Sequence, residues 1–307
     1  MSGPVTTQDT PTDAGCGTPH APEVELLPSR QAEVGGLPVR RALPKRERRT
    51  VGAWCFADHF GPAGGAGMQV GPHPHTGLHT VTWLVDGEVL HRDSLGSEQL
   101  IRPGQLNLMT AGHGVAHAEE SPAERNGPTH GIQLWVAQPD ATRNGTAAFE
   151  HHPELPQVAV PGAVVTVLVG EVAGERSPAR ADTPIVGAEL RAAGGRVVVP
   201  VASGFEHALV VLEGGVTVGD TGDTAVGPGV LAYLGRGRGE VVLDAAEPAR
   251  LVLLGGEPFD EQIVMSWNFV GRSRDEVDRA AVDWNAHDAR FGSVASGLAR
   301  IPAPTGR

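Results

Sequence analysis

The stretch GPHPHTGLHTVTWLVDGEVLHRDSLGS, residues 71–97, decides the fold. Within it LHTVTWLV (78–85) alternates bulky or branched residues with Thr and ends at Asp86-Gly87, a dipeptide suited to a tight hairpin turn. EVLHRDS then reads as the returning strand and Gly96 as the next turn. Downstream, EQLIRPG, QLNLMTAG and GIQLWVAQP continue the rhythm of short apolar run and turn residue, which predicts a sandwich or barrel. Forty-two glycines and 25 prolines, spread through 307 residues, supply the turns that many short strands need.

After a Pro, His and Asn-rich stretch near 139–160, a second series begins: GAVVTVLVGE, RVVVPV, HALVVLEGGVTVG, DTAVGPGVLAYLG, GEVVLDA and ARLVLLGGEP. It repeats the first at two points. Val85-Asp86-Gly87-Glu88-Val89 matches Leu212-Glu213-Gly214-Gly215-Val216 at an offset of 127, and Arg102-Pro103-Gly104 matches Gly227-Pro228-Gly229 at 125. Two β-barrels of one kind in tandem explain this better than one long barrel. The expected division is an N-terminal tail over 1–22, a first barrel over 23–160, a second over 161–272, and a helix with its tail over 273–307. The helix signal is Ser273-Arg274-Asp275-Glu276, a capping box, followed by Val277, Ala280, Ala281 and Trp284 at helical spacing. Trp284 is expected to be a packing anchor, and the last dozen residues to fray.

Charge narrows the chemistry. The net charge is −12 and Lys45 is the only lysine, so a phosphate loop of the G-x-x-x-x-G-K type is excluded and direct nucleic-acid binding is disfavoured. Six positive charges fall within residues 40–49, which reads as a solvated loop, the alternative being a partner site. Two cysteines, Cys16 and Cys55, cannot build a four-Cys zinc site, and a structural disulfide is not expected. The N-terminus lacks the basic start and apolar core of a signal peptide, and no apolar run reaches the roughly 18 residues of a membrane span, so the expectation is a cytoplasmic protein with no membrane partner.

Eight of the thirteen histidines lie between 59 and 130. His73-Pro74-His75 places two imidazoles on one face of a strand, and His117-Ala118-Glu119 repeats the spacing with an imidazole and a carboxylate. Two or three hairpins separate the pairs, enough for a barrel to bring the strands together. Three neutral donors and one anion suit a divalent first-row metal with open positions better than closed structural zinc or all-oxygen calcium; the competing reading is a set of polar core histidines. His79 falls on the same face by a period-two count and is a candidate neighbour of the ligands. His113 is expected in a loop near the mouth, His151-His152 as a surface pair, His20 as solvated, and His59 with Asp58 as a structural hydrogen bond. His91-Arg92-Asp93-Ser94 holds the residue types of a hydrolase triad but no G-x-S-x-G elbow, so that reading is set aside.

The runs over 71–97 and 101–121, with WCFADHFGP (54–62) before them and GIQLWV (131–136) and LLGGEPFDEQIVMSWNFV (253–270) after them, resemble the pirin family of bicupins across roughly residues 30–292. The resemblance implies an all-β fold of two tandem jelly-roll cupin barrels with a short C-terminal helix. It also implies one metal, most often Fe(II), with Mn, Ni, Co, Cu or Zn as alternatives, held by His73, His75, His117 and Glu119. The wider cupin superfamily places Glu where this chain has His79. Carried across by the repeat offsets, the four ligand positions fall on Pro200, Ala202, Val242 and Asp244, which implies a second barrel without metal.

Two functions follow from the resemblance. One is a quercetin 2,3-dioxygenase-like enzyme that cleaves a flavonol with O2, Glu119 serving as both ligand and general base, with Trp83, Met109 and Trp135 as candidate pocket walls. The other is an iron-dependent redox regulator without turnover that acts through protein contacts with transcription factors or metabolic enzymes.

Overall fold

The computed structural model describes residues 23–65, 67–124, 127–219 and 224–304. The expected N-terminal tail, with Cys16 and His20, lies outside the described residues.

The strands form two barrels, each from a large and a small antiparallel sheet. In the first, Gln69–His75, Val115–Glu120, Val89–Asp93 and Glu98–Ile101 lie side by side in that order. In the second, Gly195–Pro200, Glu240–Ala245, Val216–Val218 and Thr224–Val226 take the same order. The large sheets correspond equally well: Leu78–Asp86 sits between Leu106–Thr110 and Thr129–Ala137, as Glu206–Glu213 sits between Val230–Gly235 and Ala249–Gly256. The tandem repeat is therefore real in three dimensions, down to the Asp86-Gly87 and Glu213-Gly214 turns, where Gly87 and Gly214 have φ of 83° and 71°.

The strand pairing departs from the expected division at residues 23–160. Glu25–Pro28 belongs to the second barrel's large sheet, with Leu26 opposite Ala232 and Leu27 opposite Leu231. Gln157–Val160 also joins that sheet, beside Ala163–Val172. The physical reason is edge protection. In the first barrel Ala148–His152 covers the edge of Leu106–Thr110, and the N-terminal strand does the same for Val230–Gly235, whose backbone would otherwise be open to pairing.

The two large sheets share one core. Trp54, Val81, Trp83 and Leu134 from the first half pack with Leu168, Val210, Val252 and Leu254 from the second. Trp54 donates its indole N–H to Val186 and Gly255 carbonyls at 3.0 and 3.2 Å, and Trp83 donates to Glu189 Oε1 at 3.0 Å. Gly187 makes room for this, since a Cβ there would come within 2.7 Å of the Trp54 ring.

Arg274–Asn285 is helical, and the Ser273 hydroxyl accepts from Glu276 N at 3.2 Å as the capping box predicts. Glu276 reaches back to the N–H of Arg272 rather than that of Ser273. Trp284 is buried against Phe291 and donates to Ile301 O at 2.8 Å. The expected fraying does not hold for residues up to 304. Ile301 N donates to Pro72 O, and Ala303 is tied to Asn285 at both its N–H and its C=O, so this segment lies along the HPH strand.

The Arg-rich run is a solvated loop only in part, with Arg46 and Arg49 exposed outside any strand. Its first four residues end the strand Leu37–Leu43, where Arg40 donates to Gly61 O, while Arg48 lies 3.6 Å from the Tyr233 ring centroid. No described helix is long and apolar enough to cross a membrane.

Candidate metal centre

The small sheet of the first barrel brings the histidines together. Antiparallel pairing sets His117 opposite His73 on one side and opposite Asp93 on the other, so the three strands present these residues as a row on one face. His75 lies on the same face two residues along. The His73, His75 and His117 rings lie with centroids 4.3 to 5.1 Å apart, and one ligand nitrogen from each falls within 4.8 Å of the others. Glu119 is outside that mutual group. A bulge between His117 and Glu119 shifts its register against the HPH strand, and its Oε1 accepts from the Thr82 hydroxyl at 3.4 Å. All four side chains are buried.

Burial sets the protonation states. It pushes His73 down to about 4, against the opposing effect of the Gly71 carbonyl. His75 and His117 are held well below the usual imidazole range by burial and by the imidazoles around them. All three are therefore neutral at pH 7. His73 Nδ1 is 2.9 Å from Gly71 O, a carbonyl that can only accept, so the proton sits on Nδ1 and Nε2 carries a free lone pair. His75 Nε2 and His117 Nε2 face each other at 3.1 Å. One proton bridges that contact in the metal-free protein, and a cation would take its place; neutral imidazoles converging in this way are the donor set that a divalent cation requires, so the residues fit a metal. Burial also raises the Glu119 carboxyl above its usual range, a shift that a nearby cation would reverse.

These residues line one end of a cavity of about 410 Å3. Its walls include Phe56 and Trp135, stacked with ring centroids 3.9 Å apart, with Trp135 edge-on to His75 at 5.1 Å. Met68, Val70 and Ile301 add apolar surface, the last from the C-terminal segment. Arg41 and Asp58 add a bidentate ion pair at 2.8 and 2.6 Å, with the guanidinium 4.6 Å from the Phe56 ring centroid. Of the three expected wall residues only Trp135 lines the cavity. Trp83 is in the core between the barrels, and Met109 packs beneath the sheet with Leu78 and Val115.

Several histidines sit elsewhere than expected. His79 is turned away from the ligands, with Nδ1 2.9 Å from the Thr110 hydroxyl and Nε2 3.1 Å from Asp182. The period-two count fails because Gly77, at φ 68°, breaks the strand between His75 and Leu78. His59 and Asp58 do not bond each other, since neighbours on a strand face opposite sides. Asp58 takes Arg41, and His59 Nε2 meets His130 Nε2 at 2.9 Å. His113 is exposed in a turn and is absent from the cavity wall. His151 and His152 are half-buried on an edge strand, each with a hydrogen-bond partner, Asn107 and Glu150.

His91 and Asp93, set aside as a triad, are instead buried directly behind His117. His91 Nδ1 is 3.3 Å from His117 Nδ1, and His91 Nε2 is 3.2 Å from Asp93 Oδ2. The signal was present as a third H-x-(H/D/E) pair, matching His73-x-His75 and His117-x-Glu119. In the second barrel the corresponding interior is apolar, with Val197, Val199, Val241 and Leu243 buried.

Residues 36–136 match the Pirin family and residues 188–292 match the Pirin C-terminal cupin domain. The chain is 48% identical over 285 residues to "Putative quercetin 2,3-dioxygenase PA1205" of Pseudomonas aeruginosa, covering 91% of this chain and 89% of that one. It is 30% identical to human pirin over 268 residues, covering 85% and 91%. A crystal structure of quercetin 2,3-dioxygenase from Acinetobacter baumannii superposes with a TM-score of 0.88 at 42% identity, over 92% of this chain and 96% of that one. Motifs, repeated barrels and relatives agree, and the chain belongs to the pirin family of bicupins.

Proposed function

We propose that this bicupin is a metal-dependent dioxygenase that cleaves a flavonol-type substrate, with His73, His75, His117 and Glu119 holding one divalent ion, Fe(II) by preference. The observation that carries the reading is the convergence of three neutral imidazoles at the end of an aromatic-walled cavity of about 410 Å3, within the range of small-molecule sites. The names of the Pseudomonas and Acinetobacter relatives support the substrate class.

The bound ion would supply Lewis-acid polarisation of a chelating hydroxyl and electron exchange with dioxygen. The chain's own residues do the rest. The Phe56–Trp135 stack and the apolar wall of Met68, Val70 and Ile301 receive flat rings and exclude water. Gln133 and the Arg41–Asp58 pair offer hydrogen bonds to ring hydroxyls. Glu119, a carboxylate kept ionised by the neighbouring cation, would take the 3-hydroxyl proton on Oε1, the atom that now accepts from Thr82. Overall, flavonol and O2 become a depside and carbon monoxide.

The test is to load the protein without oxygen with iron, manganese, nickel, cobalt or copper in turn, then add quercetin and O2. Loss of flavonol absorbance with release of carbon monoxide is expected for at least one metal. No loss with any of them overturns the reading. For the regulator alternative the Arg-rich run offers little surface, since Arg40, Arg41 and Arg48 are engaged within the molecule and Arg46 and Arg49 stay exposed.

A further inference from the structure

We propose that His91 and Asp93 form a positioning pair that fixes the tautomer and ring orientation of His117, and so sets the metal affinity of the centre. The proposal rests on reading His73, His75 and His117 as ligands. Asp93 Oδ1 accepts from the backbone N–H groups of Leu95 and Ser97, both at 2.9 Å, which anchors the carboxylate to the turn after its strand. Asp93 Oδ2 lies 3.2 Å from His91 Nε2. A carboxylate can only accept, so in the neutral form of the ring, which has one proton, that proton sits on His91 Nε2 and leaves Nδ1 as an acceptor.

That acceptor faces His117 Nδ1 at 3.3 Å. The contact requires one proton, and His91 has already placed its own at the other nitrogen. His117 therefore carries its proton on Nδ1, and its Nε2 lone pair points at His75 Nε2, 3.1 Å away, where the ligand nitrogens converge. His91 meets the rear nitrogen of His117 and stacks on Phe149 with centroids 4.4 Å apart, a parallel contact that holds the ring plane. It is thus placed to orient a ligand rather than to be one. His73 uses the same logic with a simpler partner, the Gly71 carbonyl. Metal-bound histidines usually depend on such an acceptor behind them, and losing it typically lowers metal affinity roughly 10- to 100-fold.

The test uses cobalt(II) as the probe and compares wild type, His75→Ala, His91→Phe and His91→Gln by chelator competition and by the visible spectrum of the cobalt complex. Phe keeps the stack on Phe149 but accepts nothing, whereas the Gln carbonyl can take over from Nδ1. We expect His91→Phe to weaken binding by roughly 10- to 100-fold with an altered cobalt spectrum, and His91→Gln to restore most of both. Wild-type affinity and spectrum in His91→Phe overturn the proposal. If wild type binds no cobalt, or if His75→Ala binds it as well as wild type, the ligand reading itself falls. A second measurement needs no variant: nitrogen NMR of metal-free, histidine-labelled protein should show His117 protonated at Nδ1. Protonation at Nε2 overturns the proposal.

Discussion

At the scale of single residues, Arg41 and Asp58 show how a charge pair is built into an apolar wall. The Asp58 side chain is 4% exposed and Arg41 20%, and burial raises the Asp58 carboxyl even though Arg41 works to lower it. Removing the cation strands a buried carboxylate, so Arg41→Met should cost about 3 kcal/mol in urea unfolding at pH 7; an unchanged midpoint would show that the pair is solvated. His207, in the second barrel, makes a different prediction. It is fully buried with both ring nitrogens unpartnered, and burial pushes it down to about 4. The unfolded chain takes up a proton near pH 6.5 and the folded chain only near 4. Its contribution is therefore complete above 6.5 and falls by about 1.4 kcal/mol per pH unit on acidification through that window. The stability difference between pH 7.5 and 5.0 should shrink by about 2 kcal/mol in His207→Leu; an unaltered pH slope would contradict this. The cluster of His73, His75 and His117 was legible because a period of two fixes the face within the HPH strand and the second motif supplies the facing imidazole; Glu119 stands outside the cluster because a bulge between it and His117 breaks that count. His79 was misread because the count crossed Gly77, and His91 was missed because its neighbour His117 is adjacent only across a pairing register.

At the scale of elements, turns and caps were the easiest features to read. Asp86-Gly87 and Ser273 act through chemistry within four residues, and both are where the sequence placed them. Ser273→Ala should cost about 1 kcal/mol, measured by thermal or urea unfolding, because Glu276 N loses its acceptor; no change would mean that water replaces the cap. The C-terminal segment was not legible. It has no apolar periodicity, and what holds it is backbone bonding, Ile301 N to Pro72 O and Trp284 Nε1 to Ile301 O, together with one side chain reaching the cavity. The strand Glu25–Pro28 was legible as a strand but not as to its partner, since sequence distance gives no hint that it crosses to residues 230–233.

At the scale of the whole molecule, the two barrels are joined through one hydrophobic core. Their large sheets share a core, and Glu25–Pro28 ties the first residues described to the second barrel. Expressed alone, residues 161–292 should expose the face that Trp54 and Trp83 cover and should aggregate or bind a hydrophobic dye; a well-folded monomer by size-exclusion chromatography and near-ultraviolet circular dichroism would contradict the shared core. The repeat also explains the uneven histidines: the first barrel lines its small sheet with imidazoles where the second uses Val and Leu. The central claim is that His73, His75 and His117 act together as a metal centre. Its most direct test is the metal-to-protein ratio, by elemental analysis, of wild type and His75→Ala after equal loading and desalting. About one ion per chain is expected in wild type, with a large loss in the variant. Equal metal in both, with the variant folded, would contradict it.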